Sequence, residues 1–127
     1  MKYISFLGLF FLSLTLEAQK SSALDAIGKS DMTTLASLLD NRVEICFDNK
    51  VQYLDKAATV QAIQDFLSKN PPKSCTPSHN GAAKGNASQY TIGKFVSTNG
   101  KSFRIFVFTS EQGGKSVIKE VKIDIEK

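Results

Sequence analysis

Apolar residues along this chain follow a helical period, then an alternating one, then a helical one again, and finally alternate to the end. In "SSALDAIGKSDMTTLASLLDN", Leu24 and Ile27 form a short ridge that Gly28 interrupts, and Met32, Leu35, Leu38 and Leu39 share one face of a second helix. Ser30 or Asp31 can cap that helix. "RVEICFDNKVQYL" puts Val43, Ile45 and Phe47 on one side and Glu44, Cys46 and Asp48 on the other, which predicts a hairpin closed by an Asp-Asn turn. Asp55 suits the N-cap of "KAATVQAIQDFLSKN", where Val60, Ile63 and Leu67 make a stripe flanked by Phe66. Gln61, Gln64 and Asp65 fall on the water side, and Asn70-Pro71-Pro72 ends the helix because proline blocks its continuation. Helices followed mainly by hairpin-linked strands predict an α+β fold.

The last third sorts side chains by face. A two-residue Asn99-Gly100 turn pairs Val96 with Phe103, so Lys94, Ile92 and Tyr90 lie opposite Ile105, Val107 and Thr109. Phe95, Arg104, Phe106 and Phe108 then point the other way. A three-residue loop through Gln112-Gly113-Gly114 gathers Val117, Val121, Ile123 and Ile125 with Ile105 and Val107, and turns Glu120, Lys122 and Asp124 outward. A two-residue Gly-Gly loop would bury those charges against aliphatic neighbours.

The first segment has a different character. "MKYISFLGLFFLSLTLEAQK" carries Lys2, an apolar run from Ile4 to Leu16, and then Glu17-Ala18-Gln19, the layout of a secretory signal cut after Ala18. Leu16 departs from the small-residue preference near the cut, yet a run of thirteen residues is short of the roughly 20 that a spanning helix needs. Residues 1–18 are thus read as an export signal and residues 19–127 as one domain, placed in the periplasm or outside the cell. The whole chain has 127 residues, 42% of them hydrophobic and 22% charged, which fits one ordinary core. Its net charge of +4 comes from scattered lysines without a basic stripe, which argues against nucleic-acid binding.

With these elements in place, "ALDAIGKSDMTTLASLLDNRVEI" resembles the opening of the nuclear transport factor 2-like superfamily, and the order of elements agrees throughout the mature chain. "FLSKNPPKS", "HNGAAKG", "YTIGKF" and "NGKSFRIFVF" resemble, more narrowly, a secreted bacterial family of this cystatin-like fold with no assigned function. The narrower likeness rests on His79, Gly81, Tyr90, Ile92 and Gly93. It implies a cone-like domain whose helices pack in a strongly curved, mainly antiparallel sheet. It also implies a possible pocket at the open end, an outer sheet face that often forms a dimer, and free Cys46 and Cys75 near opposite edges. It supplies no catalytic residues.

Candidate sites can be weighed on that frame. His79 is the only histidine, and its neighbours Ser78, Asn80 and Gly81 favour a structural role at a loop edge over general-base chemistry. A dyad with Cys75 fails because Pro77 favours extended chain, which sets residues 75 and 79 about 13 Å apart. Two cysteines and one histidine leave a structural zinc site incomplete, so no metal or cofactor is expected. On the inward face, Lys94 and Lys119 with Tyr90, and His79 nearby, form the candidate site for an anionic small ligand. On the outward face, Phe95, Phe106, Phe108 and Ile118 form a candidate homodimer patch. Asn86-Ala87-Ser88 is a glycosylation acceptor that matters only in a eukaryotic route, and "QYTIG" is too unlike the cystatin loop to imply protease inhibition. The expectation is an exported noncatalytic domain binding a small ligand or a protein. The alternative is an isomerase, dehydratase or hydrolase-like enzyme using the cone pocket.

Overall fold

The structure, a computed structural model, describes residues 22–83 and 88–127; the segment read as an export signal and Asn86 lie outside them. Three helices, α1 (Ser22–Gly28), α2 (Met32–Leu38) and α3 (Lys56–Lys69), accompany six strands. The strands are β1 (Leu39–Phe47), β2 (Lys50–Asp55), β3 (Pro72–Ala83), β4 (Ser88–Ser97), β5 (Ser102–Gln112) and β6 (Lys115–Ile125). They form one open sheet in the order β2-β1-β6-β5-β4-β3, parallel between β1 and β6 and antiparallel elsewhere. The fold is α+β, as the periodicities predict.

Local chemistry accounts for the helix limits. Asp31, not Ser30, caps α2: its carboxylate accepts from the Thr34 N–H at 3.1 Å, and Leu39 begins β1 rather than ending the helix. Asp55 caps α3 by accepting from the Ala58 N–H at 2.8 Å. At the other end the Asn70 N–H bonds to the Phe66 carbonyl at 2.9 Å, and Pro71 follows. Asp48 and Asn49, both with positive φ, close the β1–β2 hairpin as expected.

All three helices cover one face of the sheet. Leu24 and Ile27 from α1, Leu35 from α2 and Ile63 and Leu67 from α3 pack on Val43, Ile45, Phe95, Ile105, Val121 and Ile123. Phe66 from α3 meets the rings of Phe95 and Phe103 at 5.4 and 4.9 Å. Close approach of α1 depends on Gly93, because a Cβ there would lie 2.8 Å from Leu24 Cδ1.

Both hairpin registers in the last third differ from the expectation. In β4–β5, Phe95 pairs with Phe103 and the Ser97 N–H bonds to the Lys101 carbonyl, so the loop has three residues, with Gly100 at φ +89. The cause is tertiary. The buried Ser97 hydroxyl donates to the Pro71 carbonyl at 3.0 Å, and the Asn99 amide donates to the Lys69 carbonyl at 3.2 Å, fastening the turn to the end of α3. Asn99 Oδ1 also accepts from the Lys101 N–H. In β5–β6 the loop is the two-residue Gly113-Gly114, with Gln112 paired to Lys115. A bulge at Lys119, between the pairs Thr109–Ile118 and Phe108–Glu120, then resets the register. Val121 and Ile123 consequently meet Val107 and Ile105, and the inward gathering of these aliphatics survives a wrong loop length.

Candidate binding face

These registers redistribute the predicted site residues. Phe95 is fully buried under α3 and Ile118 is 2% exposed, so neither belongs to an outer patch. Tyr90 and Lys94 belong to the outer face, where they pair with Phe108 and Arg104. Lys119 occupies the bulge and makes a 2.6 Å ion pair with Asp40. That contact and the hydrogen bond to the Asn41 N–H hold the Asp40 carboxyl below its ordinary range. Lys94 and Lys119 therefore do not share an inward pocket mouth. His79 stands within β3 rather than at a loop edge, exposed and paired with Ile92.

What the sheet does bring together lies on the face away from the helices. His79, Tyr90 and Phe106, from β3, β4 and β5, form a row of near-parallel rings with centroids 6.5 and 5.9 Å apart. Gly81 lets the Tyr90 ring lie against the edge strand, since a Cβ at that position would be 2.7 Å from the phenol. Beside this row is a groove of about 310 Å³ lined by Ile92, Phe106, Arg104, Glu120, Lys122 and Asp124. Its floor is apolar and its rim carries both signs of charge.

Charges of both signs stand together on this face. Lys94 and Arg104 are cross-strand neighbours and both exposed, and Asp124 stands opposite Arg104 on β6. Among the described residues the ion pair Lys119–Asp40 involves none of them. At the other end, the parallel pairing of β1 with β6 sets Glu44 beside Glu120. The Tyr53 hydroxyl donates to Glu44 Oε1 at 2.5 Å. Partial burial, the charge of Glu44 and a hydrogen bond to it push the Glu120 carboxyl up, against the pull of Lys122. The bond to Glu44 pushes the Tyr53 phenol up as well.

The pairing of Glu44 with Glu120 could not be found in the sequence. Strand alternation puts both outward, but only the long-range β1–β6 contact makes them neighbours. The thiols are placed without chemistry of their own. Cys46 is buried on β1, and Cys75 lies on β3 under α1. Three strands intervene, a separation of about 19 Å at the usual strand spacing, and both cysteines are free. Burial, followed by the charge of Asp25, raises the Cys75 thiol to about 11. Among the described residues no cluster of three His, Cys, Asp or Glu side chains could hold a metal ion.

Comparison with known proteins agrees with this architecture. The family described as "Domain of unknown function (DUF4783)" matches residues 21–124. A solved protein of that family from Bacteroides ovatus is 24% identical, with a TM-score of 0.77 over 84% of this chain and 94% of its own. One from Bacteroides fragilis is 25% identical, with a TM-score of 0.76 over 83% and 96%. A nuclear transport factor 2-like protein from Cytophaga hutchinsonii, 15% identical, superposes with a TM-score of 0.65 over 90% of this chain and 97% of its own. No curated protein matches by sequence.

Proposed function

Because the chain belongs to the DUF4783 family, whose description assigns no activity, we propose that its work is binding, done by a noncatalytic domain through the outer face of its sheet. The observation that carries this reading is the groove over Ile92 and Phe106, with Arg104, Lys122, Glu120 and Asp124 around it. Its volume of about 310 Å³ falls at the lower end of the range for small-molecule sites, and its mix of apolar floor and charged rim suits a small ligand or a protein side chain. The resemblance to cone-shaped relatives implied a possible pocket at the open end of the cone; in this proposal the working surface is the sheet face away from the helices. An isomerase-like or hydrolase-like reaction would need an acid or base on the helix side. There the buried polar residues among those described are Thr59 and Ser97. Residues 1–18 support action in the periplasm or outside the cell.

The test is native mass spectrometry of protein purified from its source, with Phe106→Ser alongside. A retained small molecule or protein that the variant loses supports the reading. Retention unchanged in Phe106→Ser, with both proteins folded, rejects the outer face.

A further inference from the structure

Resting on that reading of the outer face, we propose what it holds: a neutral, flat, β-linked saccharide chain, lying on the rings of His79, Tyr90 and Phe106 with its hydroxyl groups toward the charged rim. The rings set the shape of the ligand. A Cβ on Gly81 would stand 2.7, 2.7 and 2.8 Å from Cζ, Oη and Cε1 of Tyr90. Three adjoining atoms are equally near such a point only when it lies over the flat side of the ring, since an approach in the ring plane brings Oη or Cε1 closer than Cζ. Tyr90 therefore rests face down on Gly81, as an aromatic ring covers a glycine on an edge strand. His79 and Phe106 are each inclined to it by 21°, so the three rings are close to level and turn their other faces away from the sheet. They cross β3, β4 and β5, about 10 Å at the usual strand spacing. His79 is exposed and the other two are half-buried, so those outer faces are open.

The rim sets the charge of the ligand. Glu120, Lys122 and Asp124 follow one another along the outer side of β6 as acceptor, donor and acceptor, and Arg104 stands opposite Asp124 on β5. Two cations and two carboxylates thus line the groove. The flanking charges also balance, with Lys94 beside Arg104 and Glu44 beside Glu120. Such a lining has no net attraction for an anion or a cation, yet it offers both halves of a hydrogen bond. Among the described residues Arg104, Lys122 and Asp124 join no ion pair, which leaves them able to take hydroxyl groups.

A sugar ring meets both demands. Its C–H face is flat and apolar and stacks on aromatic rings, and the hydroxyls around its edge both donate and accept. A planar aromatic guest meets only the first. The platform is one-sided, so such a guest would leave its second face in water, whereas a sugar keeps its outward hydroxyls hydrated. Successive rings of a β-linked chain lie in one ribbon and match a level row of rings, which a coiled α-linked chain does not.

The decisive experiment is a nuclear magnetic resonance titration of the protein's backbone amides. The probes are cellohexaose, xylohexaose and mannohexaose as β-linked chains, maltohexaose as an α-linked one, oligogalacturonate as an anion and adenosine as a planar aromatic. At least one β-linked probe is expected to shift amides of β3, β4 and β5, with affinity weakened about three- to tenfold in Tyr90→Ala and in His79→Ala. His79→Ala, at an exposed side chain, carries the test should Tyr90→Ala fail to fold. Tyr90→Phe keeps the ring and should stay within about twofold. Salt at about 1 M, which screens charges beyond about 3 Å, should change the affinity of a neutral ligand by less than about twofold. No shift with any β-linked probe at about 10 mM overturns the proposal, because even a millimolar site would then be nearly full. So does tighter binding of maltohexaose, oligogalacturonate or adenosine, or binding indifferent to both alanine variants. A dimer in sedimentation velocity that Tyr90→Ala dissociates would put a second copy on the rings and also overturn it. If the sugars fail while the source protein still loses its bound molecule on Phe106→Ser, the outer-face reading stands and the saccharide alone is rejected; failure of both rejects the face.

Discussion

Phe95 is the sharpest test of the register on which the outer face depends. If Asn99-Gly100 were a two-residue turn, this ring would share the exposed face with Phe106. In the structure it is fully buried, with Phe66 at 5.4 Å and Phe103 at 5.9 Å. Truncation to Ala removes a buried aromatic ring and leaves a cavity among packed neighbours, which costs about 3–5 kcal/mol. The two lost aromatic contacts account for about 1 kcal/mol of that. Since a domain of this size is held by roughly 5–15 kcal/mol, Phe95→Ala should unfold at far lower urea or not fold at all. Phe95→Leu keeps most of the volume and should lose about 1–2 kcal/mol. The neighbouring Lys94→Ala, on the opposite face, should stay within about 0.5 kcal/mol. Urea denaturation followed by circular dichroism reads all three. If Phe95→Ala proved as mild as Lys94→Ala, the three-residue loop and the placement of Tyr90 and Lys94 would both be wrong.

Three further outcomes can be checked on the isolated protein. Gly93→Ala drives a methyl group to 2.8 Å from Leu24 Cδ1 and 3.2 Å from the Thr76 carbonyl oxygen, so the urea midpoint should fall by the equivalent of about 1–3 kcal/mol. Glu120 has its folded pKa raised above the ordinary 4.5. Its stabilising contribution is therefore complete below that value and disappears as pH rises through the raised one. Glu120→Gln should remove that loss, an effect under about 1 kcal/mol after solvent screening, read from denaturation at a series of pH values. The Cys75 thiol, raised from 9.0 to about 11, should react with a thiol reagent at pH 8 far more slowly in the folded protein than after urea unfolding. Equal rates in the two states would contradict its burial under α1.

The elements with strong local signals were legible: the caps at Asp31 and Asp55, the stripe Ile63–Leu67, the Asp48-Asn49 turn and the β1 alternation. The loops were harder because their lengths are decided at a distance. Asn-Gly favours a two-residue turn locally, but the hydrogen bonds of Ser97 and Asn99 to the end of α3 outweigh that preference. A one-residue slip then moved Tyr90 and Lys94 outward and Phe95 inward, dissolving the proposed inward lysine site. The bulge at Lys119 carries no residue-type signature, and it placed Ile118 in the core. Phe106 and Phe108 were read on the correct face.

The parallel contact between β1 and β6 has a bearing on how the chain acquires its shape. The β1–β2 hairpin joins the sheet only through β6, the last strand, so the Glu44–Glu120 and Ile45–Val121 pairings span most of the described sequence. Closing so wide a loop comes at a cost in chain entropy before any contact repays it, which places this step late and makes it slow. Until β6 arrives, the apolar edge of β1 is left open to strangers. During synthesis, that interval is when the uncovered strand is most open to pairing with the wrong partner.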